Sequence, residues 1–83
     1  MPLYMDMHQL DGAVSAADVA AAHAADLDKQ GAHGAHYLRY WVDEEHGTIF
    51  CLVDAPSADA AAAVHRDAHG LLADAIHPVV EGA

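Results

Sequence analysis

Two histidines four residues apart, His65 and His69 in the run Val64-His65-Arg66-Asp67-Ala68-His69-Gly70, are the sharpest chemical feature of the sequence. On a helix, positions i and i+4 project one above the other from one face, so two imidazoles placed there can grip one cation. Such a pair is a recurring half-site for zinc, copper or nickel, although the HExxH form with its catalytic glutamate is absent. The position also suits a plainer role, because a histidine in the last turn before a glycine complements the helix dipole and bonds free carbonyls. His23 and Asp26 form a second pair, at i and i+3, in which the carboxylate can orient the imidazole. Cys51, the one cysteine, lies inside the apolar run Ile49 to Val53, where such a residue packs as a small hydrophobe. It becomes a nucleophile or a soft metal ligand only where it faces an imidazole. His8, His33, His36, His46 and His77 fall in loops or near strand ends, and each read singly is solvated.

Six elements must position these residues. Pro2 to Leu10 alternates Leu3, Met5 and Met7 against Tyr4, Asp6 and His8, the period-two pattern of a strand with unequal faces, and stops at the turn signal Asp11-Gly12. Ser15 caps a helix over Ala16 to Gln30 that Gly31 ends, with Val19, Ala20, Ala24 and Leu27 as its apolar stripe and Asp18 and Asp28 outside. Ala35 to Val42 and Thr48 to Val53 are the strongest strands, and the polar loop Asp43-Glu44-Glu45-His46-Gly47 joins them as an antiparallel hairpin. Ser57 caps a second helix that runs to Gly70, Leu71 to Ala75 adds a further turn, and Ile76 to Glu81, with Pro78 suited to an edge, makes the last strand.

This order predicts one α+β domain over residues 1–83, a ferredoxin-like βαββαβ sandwich with two helices on one face of a four-stranded antiparallel sheet. The helices then lie side by side, so His23 is expected to meet His65, with His69 one turn further on. Large residues at both parities of the second strand, Tyr37 and Trp41 against Leu38 and Tyr40, predict that the other sheet face is buried by dimerisation. Regular alternation puts Tyr37, Arg39 and Trp41 on one face of that strand.

Size and charge narrow the classes of function. A chain of 83 residues buries only about 60% of its unfolded surface as a monomer, which makes a homodimer a natural remedy. Thirteen acidic against three basic residues give a net charge of −10. Phosphate neutralisation would rest on Lys29, Arg39 and Arg66 alone, so neither nucleic acid nor an anionic membrane is an expected partner. A field of this sign attracts cations instead, and protonation of all eight histidines would cut the charge from −10 to −2. A lone cysteine forms no intrachain disulfide and no CxxC site, no apolar run approaches the ~18 residues that span a bilayer, and the amino terminus carries no basic, apolar leader. A soluble, cytoplasmic protein is the expectation.

Taken in order, Ala22-His23 and Asp26, Tyr37-Leu38-Arg39-Tyr40-Trp41, Phe50-Cys51-Leu52, Ala55-Pro56 and Val64-His65-Arg66-Asp67-Ala68-His69-Gly70 resemble a bacterial family of small ferredoxin-like nickel-binding proteins. The resemblance covers nearly the whole chain and implies a homodimer that binds nickel and sequesters or buffers it. Residue chemistry points the same way, to a site at His23, Asp26, His65 and His69 for nickel or another divalent ion such as zinc or copper. The competing expectation is a small dimeric ferredoxin-like enzyme of the cyclase or cofactor-light mono-oxygenase type. There His23 would be the general base, Asp26 its orienting group, and His65, Tyr37 and Cys51 the assisting groups. A pocket with room for an organic ligand separates the two expectations.

Overall fold

The computed structural model describes residues 2–83. In it β1 (Leu3–Gln9), α1 (Ala16–Lys29), β2 (His36–Asp43), β3 (Thr48–Asp54), α2 (Ala58–Ala68) and β4 (Ala75–Val79) follow one another along the chain. The strands lie in the order β2-β3-β1-β4 with every neighbouring pair antiparallel, which is the ferredoxin-like arrangement. Both helix starts follow from their serines: Ser15 Oγ accepts the Asp18 N–H and Ser57 Oγ accepts the Ala60 N–H, each at 3.1 Å. The helix ends depart from expectation. Gly31 does not stop α1, which runs on through a 3-10 turn (Gln30–His33) to Gly34 at φ +65°. α2 closes at Gly70, φ +78°, whose N–H donates to the His65 carbonyl, and Leu71 to Ala73 form no further turn but an extended link into β4.

The sheet corrects the expected faces. In β1 the polar residues Asp6 and His8 are the buried ones, while Leu3, Met5 and Met7 line the opposite, uncovered face. In β2 the register steps from Tyr37 opposite Val53 to Arg39 opposite Leu52, so Leu38 is a bulge residue. One extra residue reverses the parity of everything after it. Tyr37 therefore shares the covered face with Tyr40 and Val42, and Arg39 and Trp41 stand on the other face rather than beside Tyr37.

α1 is turned in the same sense. Val19 and Asp26 are its buried residues, and Leu27 of the apolar stripe is 45% exposed. The helix presents Asp26 inward because partners wait for it there, as described below. The core between helices and sheet is small, built from Val19, Ile49, Val53, Val64, Tyr37 and Cys51 with three alanines. On the uncovered face Leu38, Trp41 and Phe50 are exposed, and Leu3, Met5, Leu52 and Val79 join Leu38 and Trp41 around a hollow of about 720 Å³. Among the described residues no helix is long and apolar enough to cross a membrane.

The β2–β3 loop is stitched to the β1–α1 connection, with Leu10 N–H donating to the Gly47 carbonyl at 2.9 Å and Val14 N–H to that of Glu44 at 3.0 Å. Gly47 is buried at φ +66°, and a Cβ there would overlap the Gly12 carbonyl oxygen. Gly47→Ala is accordingly expected to lower unfolding free energy in denaturant titrations by about 1–3 kcal/mol. Gly31→Ala, with open space around it, is expected to be neutral or to add about 0.4–1 kcal/mol.

Candidate metal centre

β1, β2, α1 and α2 each deliver polar side chains to one point beneath α2. His65 points inward from α2 and is 1% exposed. Its Nδ1 lies 2.8 Å from Asp26 Oδ1 of α1, and its Nε2 lies 2.9 Å from Asp6 Oδ2 of β1. The Tyr37 hydroxyl from β2 stands 2.9 Å from both His65 Nε2 and Asp6 Oδ2, and 3.1 Å from the Ala61 carbonyl oxygen. Its single proton goes to Asp6 or Ala61, and its oxygen accepts from His65. His8, two residues along β1 on the same face as Asp6, brings its Nε2 to 3.3 Å from His65 Nε2 and 3.2 Å from Asp6 Oδ1. Cys51 is the β3 residue paired with Asp6 in register and faces the same interior. One turn beyond His65, His69 reaches back with Nε2 3.0 Å from Asp26 Oδ1.

The electrostatics of this cluster follow from burial opposed by pairing. Burial alone would lower the pKa of His65, but the hydrogen bonds to Asp26 and then Asp6, with their charges, outweigh it and raise it to about 9. Burial would raise Asp6, yet its bonds to His65 and His8 hold the carboxyl well below the usual range. Tyr37 and Cys51 move the other way, since burial and the neighbouring Asp6 charge both keep them protonated. His69 is lowered, chiefly by burial, so its imidazole is neutral at pH 7.

Two sets of potential ligands result. Asp26, His65 and His69 bring one donor atom each within 4.8 Å of one another at the protein surface, and Asp6, His8, Cys51 and His65 do so in the interior. His65 belongs to both. Asp26 is the α1 group that touches His65. His23 packs its ring on Tyr40 at 4.7 Å, keeps a buried Nδ1 without a hydrogen-bond partner, and lines a cavity of about 20 Å³ shared with Asp26, His69, His8 and Cys51.

Asp6 and His8 are the cluster members that sequence reasoning passed over. His8 is 2% exposed rather than solvated, because β1 continues past it and α2 covers it. The available signal was a carboxylate in mid-strand at the parity of a histidine. His33 is bonded to Asp67 and His46 to Asp43, while His36 and His77 are exposed.

Residues 4–79 match the sequence model of the family described as nickel responsive protein SCO4226-like. The chain belongs to that family. The crystal structure of SCO4226 from Streptomyces coelicolor A3(2) is similar, with a TM-score of 0.90 and 37% identity over 98% of this chain and 99% of that one. No curated protein matches the sequence. The SCO4226-like likeness bears out the ferredoxin-like fold from end to end, and the cluster beneath α2 falls wholly within the matched residues.

The pair at the centre makes stability depend on pH in a defined direction. The raised pKa of His65 contributes stability that is complete below its ordinary value of 6.5 and lost as pH rises through about 9. The depressed pKa of Asp6 contributes stability that is complete above 3.8 and lost only in strong acid. In chelator-treated protein, the stability difference between wild type and His65→Gln is expected to shrink between pH 6.5 and 9, by up to about 3 kcal/mol. Asp6→Asn, which leaves a buried imidazolium short of one partner, is expected to cost about 3–5 kcal/mol near neutral pH.

Proposed function

We propose that the protein binds nickel, or a related divalent transition-metal ion, at Asp26, His65 and His69 and holds it for sequestration or buffering. The observation that carries this reading is a single carboxylate oxygen, Asp26 Oδ1, standing 2.8 Å from one imidazole and 3.0 Å from a second where His69 reaches solvent. Two nitrogens and one oxygen converge there, with room on the solvent side for waters to complete the coordination sphere that nickel prefers. The neutral His69 offers its lone pair directly, whereas the ion must displace the proton that His65 shares with Asp26. His23 borders the same cavity and is the fourth donor of the proposed site. The −10 surface raises the local concentration of cations, and the family's nickel-responsive description agrees in kind.

The cavity at His23 and Asp26, about 20 Å³, has the volume of one ion or water, against the roughly 300–1,000 Å³ of organic-ligand pockets. That favours ion binding over the general-base reading of the same pair. Calorimetric titration of untagged, metal-free protein with Ni(II) is expected to show saturable binding. The affinity is expected to fall about 100-fold or more in His69→Ala, and binding to disappear in the His65→Ala, His69→Ala double variant. Unchanged nickel affinity in Asp26→Asn and His69→Ala would overturn the assignment.

The second part of the reading is a homodimer formed through the uncovered sheet face, in a cytoplasmic setting that suits the free thiol of Cys51. Exposed Leu38, Trp41 and Phe50 around the hollow support it, since monomers seldom leave a contiguous apolar surface of this kind in water. Sedimentation is expected to show a dimer for the wild type and a folded monomer for Phe50→Glu. A wild type that stays monomeric at high concentration would sink this part alone.

A further inference from the structure

The interior side of His65 carries a donor set that the nickel reading does not use. We propose that Asp6, His8, Cys51 and His65 form a closed four-ligand site for a tetrahedral divalent cation, Zn(II) by preference, separate from the nickel site except that both draw on His65. This goes beyond the surface nickel site and stands on different atoms.

The spacing already approaches that of a zinc tetrahedron. Bonds of about 2.0–2.3 Å place neighbouring donors about 3.3–3.8 Å apart. His8 Nε2 lies 3.3 Å from His65 Nε2 and 3.2 Å from Asp6 Oδ1, and the four donor atoms, Cys51 Sγ included, fall within 4.8 Å of one another. Asp6 Oδ1 is buried and makes no hydrogen bond, although its neighbour Oδ2 takes two. A cation between these groups supplies what Oδ1 lacks.

The surrounding contacts are those that a zinc ligand set needs. His65 would bind through Nε2 while its Nδ1–H donates to Asp26, the carboxylate–histidine–metal relay that fixes tautomer and ring orientation. Tyr37 keeps its bond to Asp6 Oδ2 and so holds the free oxygen in place. Charge is conserved as well: one thiol proton and one imidazolium proton leave for solvent as the dication enters. With four protein donors the site has no open position, which suits a structural or storage ion, and nickel's preference for more ligands disfavours it there. The cavity bordered by His8 and Cys51 on one side and by Asp26 and His69 on the other links the set to the surface.

A neutral imidazole has one lone pair. His65 can therefore serve zinc through Nε2 or nickel through Nδ1, but not both, and the two ions are predicted to compete.

Cobalt(II) is the optical probe, added to untagged, metal-free protein and then displaced by Zn(II). The expected spectrum has the intense visible bands of tetrahedral cobalt and a near-ultraviolet thiolate charge-transfer band. Cys51→Ser is expected to abolish the charge-transfer band and weaken zinc binding about 100-fold or more, while His69→Ala leaves both intact. Zinc-loaded wild type is expected to bind nickel at least about tenfold more weakly. X-ray absorption at the zinc edge of the wild type, which needs no variant to fold, is expected to show one sulfur among four neighbours. A weak six-coordinate cobalt spectrum, a zinc shell without sulfur, or a Cys51→Ser variant with unaltered spectrum and affinity would overturn the proposal. Nickel binding that survives His69→Ala would overturn the surface site and leave this one standing.

Discussion

An imidazolium held between two buried carboxylates, Asp6–His65–Asp26, is the constraint on which the arrangement of the helices depends. Any one of these groups buried alone would cost several kcal/mol in lost hydration, so each is tolerable inside only while the others are in place. The three come from β1, α2 and α1, and Tyr37 of β2 bonds to two of them. The rotation of α1 is explained by this requirement. Turning the helix to bury Leu27 would gain about 1.5–3 kcal/mol of apolar burial at most, but would strip His65 of a charged partner, a loss of about 3–5 kcal/mol. The polar contact wins, and Leu27 stays 45% exposed.

The same logic distributes apolar residues in an unusual way. The covered face of β1 carries Asp6 and His8, and its large apolar residues, Leu3, Met5 and Met7, are on the face without helices. What remains between the layers is a narrow core in which alanines supply three of nine members. A domain built so has less hydrophobic stabilisation between helices and sheet than its composition implies, and more apolar surface available to a partner copy. Ions bound at the cluster would act in the same direction, since anything that binds the native state and not the unfolded chain stabilises it by mass action.

Element order, both serine caps, the hairpin and the glycine after α2 were legible in the sequence because each rests on local chemistry. The faces were not. Period-two alternation in β1 shows that two faces differ, and only tertiary partners decide which is covered; apolar Leu3, Met5 and Met7 suggest the wrong one. The bulge at Leu38 leaves no mark in composition, yet it parts Tyr37 from Trp41. Of the candidate site, the i, i+4 spacing of His65 and His69 and the nearby Asp26 were readable from helical geometry. Asp6 and His8 were not, because their role depends on a pairing across 57 or more residues that no local window contains.

The two histidines of α2 consequently do unlike things despite equal spacing on one helix. His69 sits at the rim, where burial keeps it neutral and solvent can reach it. His65 sits four residues earlier, with carboxylates on both nitrogens and its proton retained to about pH 9. A helical histidine pair alone would bind any borderline divalent ion with little discrimination. Here the inner imidazole must give up a proton that two carboxylates hold, and it has a different set of companions on each side. Selection among ions then rests on which nitrogen of His65 is released: toward Asp26 and His69, with open positions for water, or toward Asp6, His8 and a thiol, with none. The metal preference of the fold is therefore set less by the number of histidines in the sequence than by the two carboxylates that decide where the His65 proton resides.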